Sequence, residues 1–197
     1  MTKAEKTKQH IIEQSAELFN QNGFSGTSLN DILKATGLSK GGLYGHFRNG
    51  KAEIAVAAFD HAISTVYQEI GTRTHQLTKS ADKLKAVVHF YRNNIFTSPV
   101  KGGCPLQNTT VDADHCNPEL KERVKEVVQD WKGRIIHTLN KGIEYGEFRE
   151  DIDKERFAKF FIAGIEGGIL IARTQNDAAE FDAMGDVLIE KIDALCK

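Results

Sequence analysis

The chain has 197 residues, a net charge of −1 and 40% hydrophobic residues, which is ordinary for a soluble globular protein. No apolar run approaches the ~20 residues that a membrane span needs, and the first ten residues lack the apolar core of a signal peptide. Three cysteines do not suggest a disulfide framework. We therefore expect a cytoplasmic protein with reduced thiols. Only three prolines and few alternating runs predict an all-α fold.

Charge is distributed unevenly along the chain. The first 55 residues carry seven basic and five acidic side chains, a net charge of +2. The remaining 19 basic and 22 acidic side chains give −3. The excess of positive charge is small, but it lies where contact with phosphates would be needed if the N-terminal region bound nucleic acid.

The N-terminal spacing predicts a first helix over residues 4 to 22, closed by Gly23. The next segment, TSLNDILKATGLSKGGLYGHF, predicts two short helices joined by a tight turn at Gly37. Thr27 is the expected N-cap of the first and Ser39 of the second. Leu43 and Phe47, four residues apart, give the second helix an apolar face. This is a helix-turn-helix pattern, whose second helix is short and polar enough to enter a DNA major groove.

The order of residues in this region resembles the DNA-binding domain of the TetR/AcrR family of bacterial transcriptional regulators. The matching runs are GF-x-GTS-x-x-DI, beginning at Gly23, and GLSKGGLY-x-HF, beginning at Gly37. After Phe47 the chain has one residue more than the usual family pattern, in the run 48–50. That insertion resembles the LmrA/YxaF-like branch of the family.

The resemblance implies three groups of DNA-binding residues. Those near base edges are Lys40, Gly41, Gly42 and Asn30; those facing the backbone are Tyr44 and His46; those binding phosphate are Thr27, Ser28 and Lys51. Elementary chemistry agrees, because free N–H groups at a helix N-terminus bind phosphate and lysine can donate to guanine O6 and N7. A turn at Gly41-Gly42 is the alternative interpretation, but it leaves Leu43 and Phe47 without a shared face.

Beyond residue 50 the apolar spacing predicts only helices, giving about nine in all. The predicted helices are roughly 51–70, a helix marked by apolar residues from Leu84 to Ile95 and ended by Ser98-Pro99, a short helix opened by 103–108, and 118–146, 154–175 and 178–196. Together with these helices, the family resemblance implies a helix-turn-helix DNA-binding domain over residues 1–50 and a helical ligand-binding and dimerisation domain over residues 51–197.

The last two predicted helices are apolar over broad stripes that include Gly164 and Gly168, and small residues let another helix approach closely. The family resemblance implies a homodimer through a four-helix bundle formed by these helices. The alternative is that both stripes are buried within one chain.

The resemblance also implies a cavity for a small-molecule effector between the C-terminal helices. The expected ligand-binding residues combine aromatic, aliphatic and a few polar side chains, as small-molecule sites do. They are Phe90, Tyr91, Cys104, Leu106, Asn108, Trp131 and Ile135. Core packing is the alternative for each of the aromatic residues.

The expected function is that of a ligand-responsive transcriptional repressor, which binds a palindromic double-stranded DNA operator as a homodimer and is released by an effector. One alternative is a thiol-based redox or electrophile sensor acting through Cys104, which has Lys101 nearby. Another is a helical interaction protein that does not bind DNA. Cys104, His115 and Cys116 lack a clear fourth ligand for zinc, so we expect no metal and no cofactor. The sequence contains neither a phosphate-binding loop nor a nucleophile elbow, so we do not expect an enzyme.

Overall fold

The computed structural model describes the backbone of residues 1–197 and every side chain outside residues 114–116. Over this backbone the chain forms nine helices, and its β-structure is limited to an isolated antiparallel bridge between Phe148 and Cys196. The predicted all-α fold is confirmed. The helices are α1 (Lys3–Gly26), α2 (Leu29–Thr36), α3 (Lys40–Tyr44), α4 (Lys51–Thr74), α5 (Ser80–Asn93), α6 (Pro105–Cys116), α7 (Pro118–Glu144), α8 (Lys154–Gln175) and α9 (Glu180–Asp193).

Most predicted spans agree with these bounds, with differences at helix ends. Gly23 has a left-handed backbone, φ +74°, which kinks α1 where the sequence predicted its end. Helix α5 ends at Asn93, before the Ser98-Pro99 boundary that was predicted, and Ile95 is buried just outside the helix. Helix α9 is shorter at both ends than the predicted 178–196. Burial of an apolar residue therefore continues past the last helical turn, and apolar spacing alone overestimates helix length.

The chain divides into two compact units, the first made of residues 1–66 and 98–127 and the second of residues 67–97 and 128–197. In the first unit α1 packs on α2 and on α6. Its N-terminal core consists of residues from α1 to α4 with at most 1% of their surface exposed: Ile11, Ile32, Leu43, Phe47 and Ile54. Leu43 and Phe47 both pack inward as predicted, but α3 ends at Tyr44, so Phe47 lies beyond the helix and not on its face.

In the second unit α9 packs on both α5 and α8. A Cβ atom on Gly164 would lie 2.9 Å from the Leu188 side chain, and one on Gly168 would lie 2.8 Å from the Phe181 ring. These two glycines therefore allow α9 of the same chain to approach α8, as their small size predicted. The glycines are buried by this contact, and any partner surface must lie elsewhere on the two helices.

Candidate functional site

Helix α2 begins with a capping box. The Ser28 hydroxyl accepts from the Asp31 backbone N–H at 3.2 Å, and the Asp31 carboxylate accepts from the Ser28 backbone N–H at 2.9 Å. Hydrogen bonds from the Ser28 hydroxyl and backbone hold the pKa of Asp31 below its usual value. The carboxylate therefore stays ionised near neutral pH, and this stabilising effect is lost as the pH falls through that lowered pKa.

The N-cap prediction for Thr27 is wrong, because Ser28 occupies that position. Thr27 is 1% exposed, and its hydroxyl lies 2.8 Å from the Gly23 carbonyl oxygen and 3.3 Å from that of Leu18, so it donates into the chain. A side-chain contact from Thr27 to phosphate is therefore not available in this structure. Ser28 and Asn30, by contrast, are exposed at the start of α2.

Helix α3 presents its N-terminal turn to solvent. Gly37 ends α2 in the left-handed conformation, φ +69°, and Ser39 then caps α3 by accepting from the Gly42 N–H at 3.2 Å. Lys40, Gly41 and Gly42 are all exposed. The structure thus brings together, on one free helix end, three of the residues predicted to lie near base edges.

Tyr44 ends α3 and is 39% exposed, which is unusual for a large aromatic residue. Its ring lies against Gly50, where the backbone has φ +60°; a Cβ there would lie 3.2 Å from both Cε1 and the hydroxyl oxygen of Tyr44. The residue inserted in the run 48–50 therefore belongs to the turn that supports Tyr44. His46 is half-buried beside it.

Replacing Gly50 with alanine is expected to cost about 1–2 kcal/mol of folding free energy, because an L-residue is strained at positive φ. The added methyl should also displace the Tyr44 ring and weaken DNA binding several-fold. Gly146→Ala is the matched control, since Gly146 has φ +74° with no atom within 4 Å of its Cβ position. Urea unfolding and fluorescence anisotropy with operator DNA measure the two effects. Equal DNA affinities of the two variants would refute the role assigned to Gly50.

Lys51 begins α4, and its Nζ atom lies 4.2 Å from the centre of the Phe24 ring. This cation–π contact orients the ammonium group toward the C-terminal end of α1. Lys51 is half-buried, so its predicted phosphate contact remains a prediction that requires the side chain to reach outward from Phe24.

A polar cluster joins α1 to α6 within the first unit. The buried Asn20 side chain donates to the carbonyl oxygens of Val100, Lys101 and Gly103 at 3.3, 2.9 and 3.1 Å. Asn108 donates to the Asn20 backbone and side-chain oxygens, both at 2.9 Å. The predicted ligand-binding role of Asn108 is therefore replaced by a structural one, because its amide is already used to hold α6 against α1.

A cavity of about 610 Å³ lies in the second unit, within the size range of small-molecule sites. Helices α4, α5 and α7 provide most of its walls, with Phe161 from α8. Trp131 and Ile135, two of the predicted ligand-binding residues, are buried at the cavity wall. The cavity lining also includes Tyr67, Ile70, Thr74, Lys83, Leu84, Val87, Asp130, Arg134, His137 and Thr138.

The structure brings together only part of the predicted ligand-binding set. The Tyr91 ring lies 6.0 Å from the Trp131 ring and 5.0 Å from that of Phe90, so these three aromatic residues form one group. Phe90 itself is 2% exposed and is a core residue. Cys104, Leu106 and Asn108 belong to the first unit and do not line this cavity. In the sequence these three residues lie at a predicted helix start, which does not indicate which unit that helix joins.

Cys104 occupies the N-cap position of α6 and is half-buried, but its side chain makes no capping hydrogen bond. Its role as a thiol sensor remains a prediction. The zinc interpretation also involved His115 and Cys116, which lie outside the described side chains. Among the side chains that the structure describes, no three His, Cys, Asp or Glu residues are grouped so as to hold a metal ion.

Sequence reasoning missed several cavity residues, chiefly Tyr67, Lys83 and Arg134. Lys83 and Arg134 lie on helices that were predicted from their apolar spacing, and neither residue was singled out. Their signal in the sequence is indirect: Arg134 lies one helical turn after Asp130 and next to Ile135, on the same side as Trp131.

Comparison with known proteins identifies the chain. Residues 11–58 match the bacterial regulatory proteins of the tetR family, and residues 80–188 match the tetracyclin repressor-like C-terminal domain. The chain belongs to the TetR family of transcriptional regulators. A TetR-family regulator from Chloroflexus aurantiacus has a solved structure that superposes with a TM-score of 0.93 at 35% identity, covering 100% of this chain and 98% of the other.

Curated relatives of this TetR-family chain include two HTH-type regulators of similar length. The transcriptional repressor DhaR of Mycobacterium sp. (strain GP1) is 22% identical, covering 94% of this chain and 91% of DhaR. The regulator LmrA of Bacillus subtilis is 25% identical, covering 87% of this chain and 89% of LmrA. The predicted resemblance to the LmrA/YxaF-like branch is confirmed. In the described part of this TetR-family chain, none of the helices combines the length and apolar character of a membrane span.

Proposed function

We propose that the chain is a ligand-responsive repressor, which binds a palindromic operator as a homodimer and leaves it when an effector occupies the cavity of the second unit. The DNA-binding proposal rests on the exposed N-terminal turn of α3, which the buried side chains of Leu43 and Phe47 hold against the core. Lys40 is exposed in this turn, and Tyr44, at the end of α3, is 39% exposed. A short helix held in this way has the form needed to enter a major groove.

The proposed contacts fall into two classes. Lys40 and the small Gly41 and Gly42 approach base edges, together with Asn30 from α2, while Ser28, Tyr44, His46 and Lys51 act on the phosphate backbone. Ser28 remains in this set because its position at the start of α2 is exposed. Thr27 is left out, because its hydroxyl is used within the chain.

Residues 1–50 are proposed as the DNA-binding part and residues 51–197 as the part that binds the effector and the partner chain. Helix α4 contributes Lys51 to the first unit and Tyr67, Ile70 and Thr74 to the cavity of the second. A ligand that favours one position of α4 would thereby change the placement of α3, and two α3 helices matched to one DNA turn, ~34 Å apart, would lose that match. Relief of repression is the expected outcome. The similarity to DhaR, which is named a transcriptional repressor, supports repression and not activation.

The dimer proposal depends on apolar residues of the last two helices that remain exposed in one chain. Leu170 is 56% exposed and Ile171 46% exposed on α8, and Phe160 and Val187 are each 38% exposed. They are distinct from Gly164 and Gly168, which the same chain already covers. Exposed apolar groups of this size are typical of a surface that a partner covers.

Leu170→Glu combined with Ile171→Glu is expected to convert the dimer into a monomer and to lower operator affinity at least tenfold, since a single half-site reader binds weakly. Sedimentation equilibrium and anisotropy titration measure these effects. Val111→Glu is the control, because Val111 is 77% exposed but lies on α6. A variant that stays dimeric, with unchanged affinity, would contradict the assignment of this surface.

Selection of bound fragments from randomised and genomic DNA tests the function as a whole. We expect enrichment of an inverted repeat, with affinity that falls steeply as salt increases because phosphate contacts release counterions. Absence of binding to any DNA, even at low salt, would instead support the helical interaction protein, and binding with no sequence preference would contradict the operator. Addition of small-molecule libraries to the selected complex then tests release.

A further inference from the structure

The cavity of the second unit has a pattern of charge that points to one class of ligand. Helix α5 and the part of α7 in this unit contain six Lys and Arg side chains. Four of these form ion pairs: Lys85 with Asp193, Arg92 with Asp182 and Asp186, Lys132 with Glu155, and Lys141 with Glu144. The other two are Lys83 and Arg134, and both line the cavity.

Within the part of the chain whose side chains are described, no carboxylate lies within ion-pair distance of Lys83 or Arg134. Asp130 also lines the cavity but pairs with neither. The lining therefore carries two permanent positive charges and one negative charge, a net charge of +1 with His137 neutral. On α5 and this part of α7, the positive charges left without a carboxylate partner are thus those of the cavity lining.

The Arg134 guanidinium is held in place by an aromatic contact. Its Cζ atom lies 4.5 Å from the centre of the Tyr67 ring, which also lines the cavity. A guanidinium can donate to a carboxylate through two N–H groups at once. Lys83 lies on α5 and is half-buried, which makes its charge less screened than that of a fully exposed lysine.

The remainder of the lining is apolar. Trp131, Ile135 and Phe161 are buried at the wall, and Ile70, Leu84 and Val87 complete it. This surface has room for a hydrocarbon or ring system of modest size beside the positive charges. The combination of a mostly apolar wall with two unpaired cations is complementary to an amphiphilic anion.

We propose that the effector is an organic acid, whose carboxylate binds Arg134 and Lys83 and whose apolar body packs against Trp131. The proposal rests on the proposed function, in which this cavity is the effector site. It adds the chemical class of the ligand, which follows from the two unpaired charges on the cavity lining, the exposed Arg134 and the half-buried Lys83, and not from the fold.

Trp131 is the single tryptophan of the chain, so its fluorescence reports directly on occupation of the cavity. The probes are octanoate, octanamide and octylammonium, which share a chain length and differ in charge. None of the three probes absorbs light at the wavelengths that excite tryptophan. We expect octanoate to bind the full-length protein at least fivefold more tightly than octanamide, and octylammonium to bind most weakly.

Arg134→Gln and Lys83→Gln should each weaken octanoate several-fold while changing octanamide affinity less than twofold, and Arg134→Lys should restore part of the loss. Lys132→Gln is the matched control, because it removes one charge from the same helix outside the cavity lining. Equal binding of octanoate and octanamide, no measurable octanoate binding, or an equal loss in Lys132→Gln would each overturn the proposal.

Failure of the effector role is distinguishable from failure of the ligand class. The ligand class is tested by the fluorescence titrations, whereas the effector role is tested by release of operator DNA in anisotropy. Charge-dependent octanoate binding without DNA release would support the organic-acid site and contradict its proposed role in regulation. Release by a neutral library compound, with octanoate unable to bind, would support regulation and overturn the ligand class.

Discussion

Replacing Lys40 and Tyr44 together with alanine is expected to abolish specific DNA binding without unfolding the protein. Both side chains lie at the exposed surface of α3, and the core beneath them is formed by Leu43 and Phe47. Each base or phosphate contact is worth about 1–3 kcal/mol, and a dimer loses each contact twice. A loss of roughly a thousandfold in operator affinity follows.

Anisotropy titration with the selected operator measures this loss, and circular dichroism checks that the helices persist. The matched control replaces Lys125 and Tyr145, which are also an exposed lysine and an exposed tyrosine but lie near α7. That control should retain its affinity within a factor of about two, since surface substitutions away from a site have small effects. Retention of specific binding by the α3 variant would show that another surface reads the DNA.

Asn20→Ala should produce the largest loss of stability among single polar substitutions in the first unit. It removes the donor shared by the Val100, Lys101 and Gly103 carbonyls, and it removes one acceptor of Asn108. Asn20 is 6% exposed, so water does not easily replace these bonds. Leaving each buried polar group unsatisfied costs about 1–3 kcal/mol, and we expect a total near ~4 kcal/mol.

Urea unfolding measures that loss, and Gln21→Ala is the control. Gln21 is the exposed neighbour, whose side chain donates only to the Glu17 carbonyl oxygen among the bonds described. It should change stability by less than about 0.5 kcal/mol. In a double-mutant cycle, Asn20→Ala and Asn108→Ala should be strongly non-additive, because they share a hydrogen bond. A cost below about 1 kcal/mol for Asn20→Ala would show that the cluster does not hold α1 and α6 together.

Local signals were sufficient to predict most of the helices. Ser39 before α3, Gly37 after α2 and Pro118 at the start of α7 lie where their backbone preferences place them. The regular apolar spacing of α7 and α8 likewise gave nearly correct spans. These features depend on residues within a few positions of one another, which a single sequence shows directly.

Neighbouring candidates for the same role were harder to distinguish. Thr27 and Ser28 both have hydroxyls suited to an N-cap, and only the packing of α1 against the turn decides that Thr27 points inward. The capping box with Asp31 was present in the sequence and favoured Ser28. The sequence therefore already contained a signal for Ser28, although the N-cap was predicted at Thr27.

The effector cavity could be predicted only in part, because it depends on residues distant in sequence. Trp131 was found from its size and chemistry, but Tyr67, Lys83 and Arg134 come from three helices whose arrangement no spacing reveals. The same reason explains Asn108, whose partner Asn20 lies 88 residues away. Charged residues on amphipathic helices also have an ordinary explanation as a solvated face, which conceals the two that line a cavity.

The open space around Gly41 has a consequence for changing which DNA sequence the protein prefers. No atom lies within 4 Å of the position that a Cβ would occupy there, and α3 contains the neighbouring Gly42 in the same exposed turn. A larger side chain at Gly41 therefore meets only solvent or DNA, and it also relieves the helix of a glycine, worth roughly 1 kcal/mol. Because Gly41 is among the residues proposed to approach base edges, we expect substitutions there to change operator preference without any compensating change in the protein core.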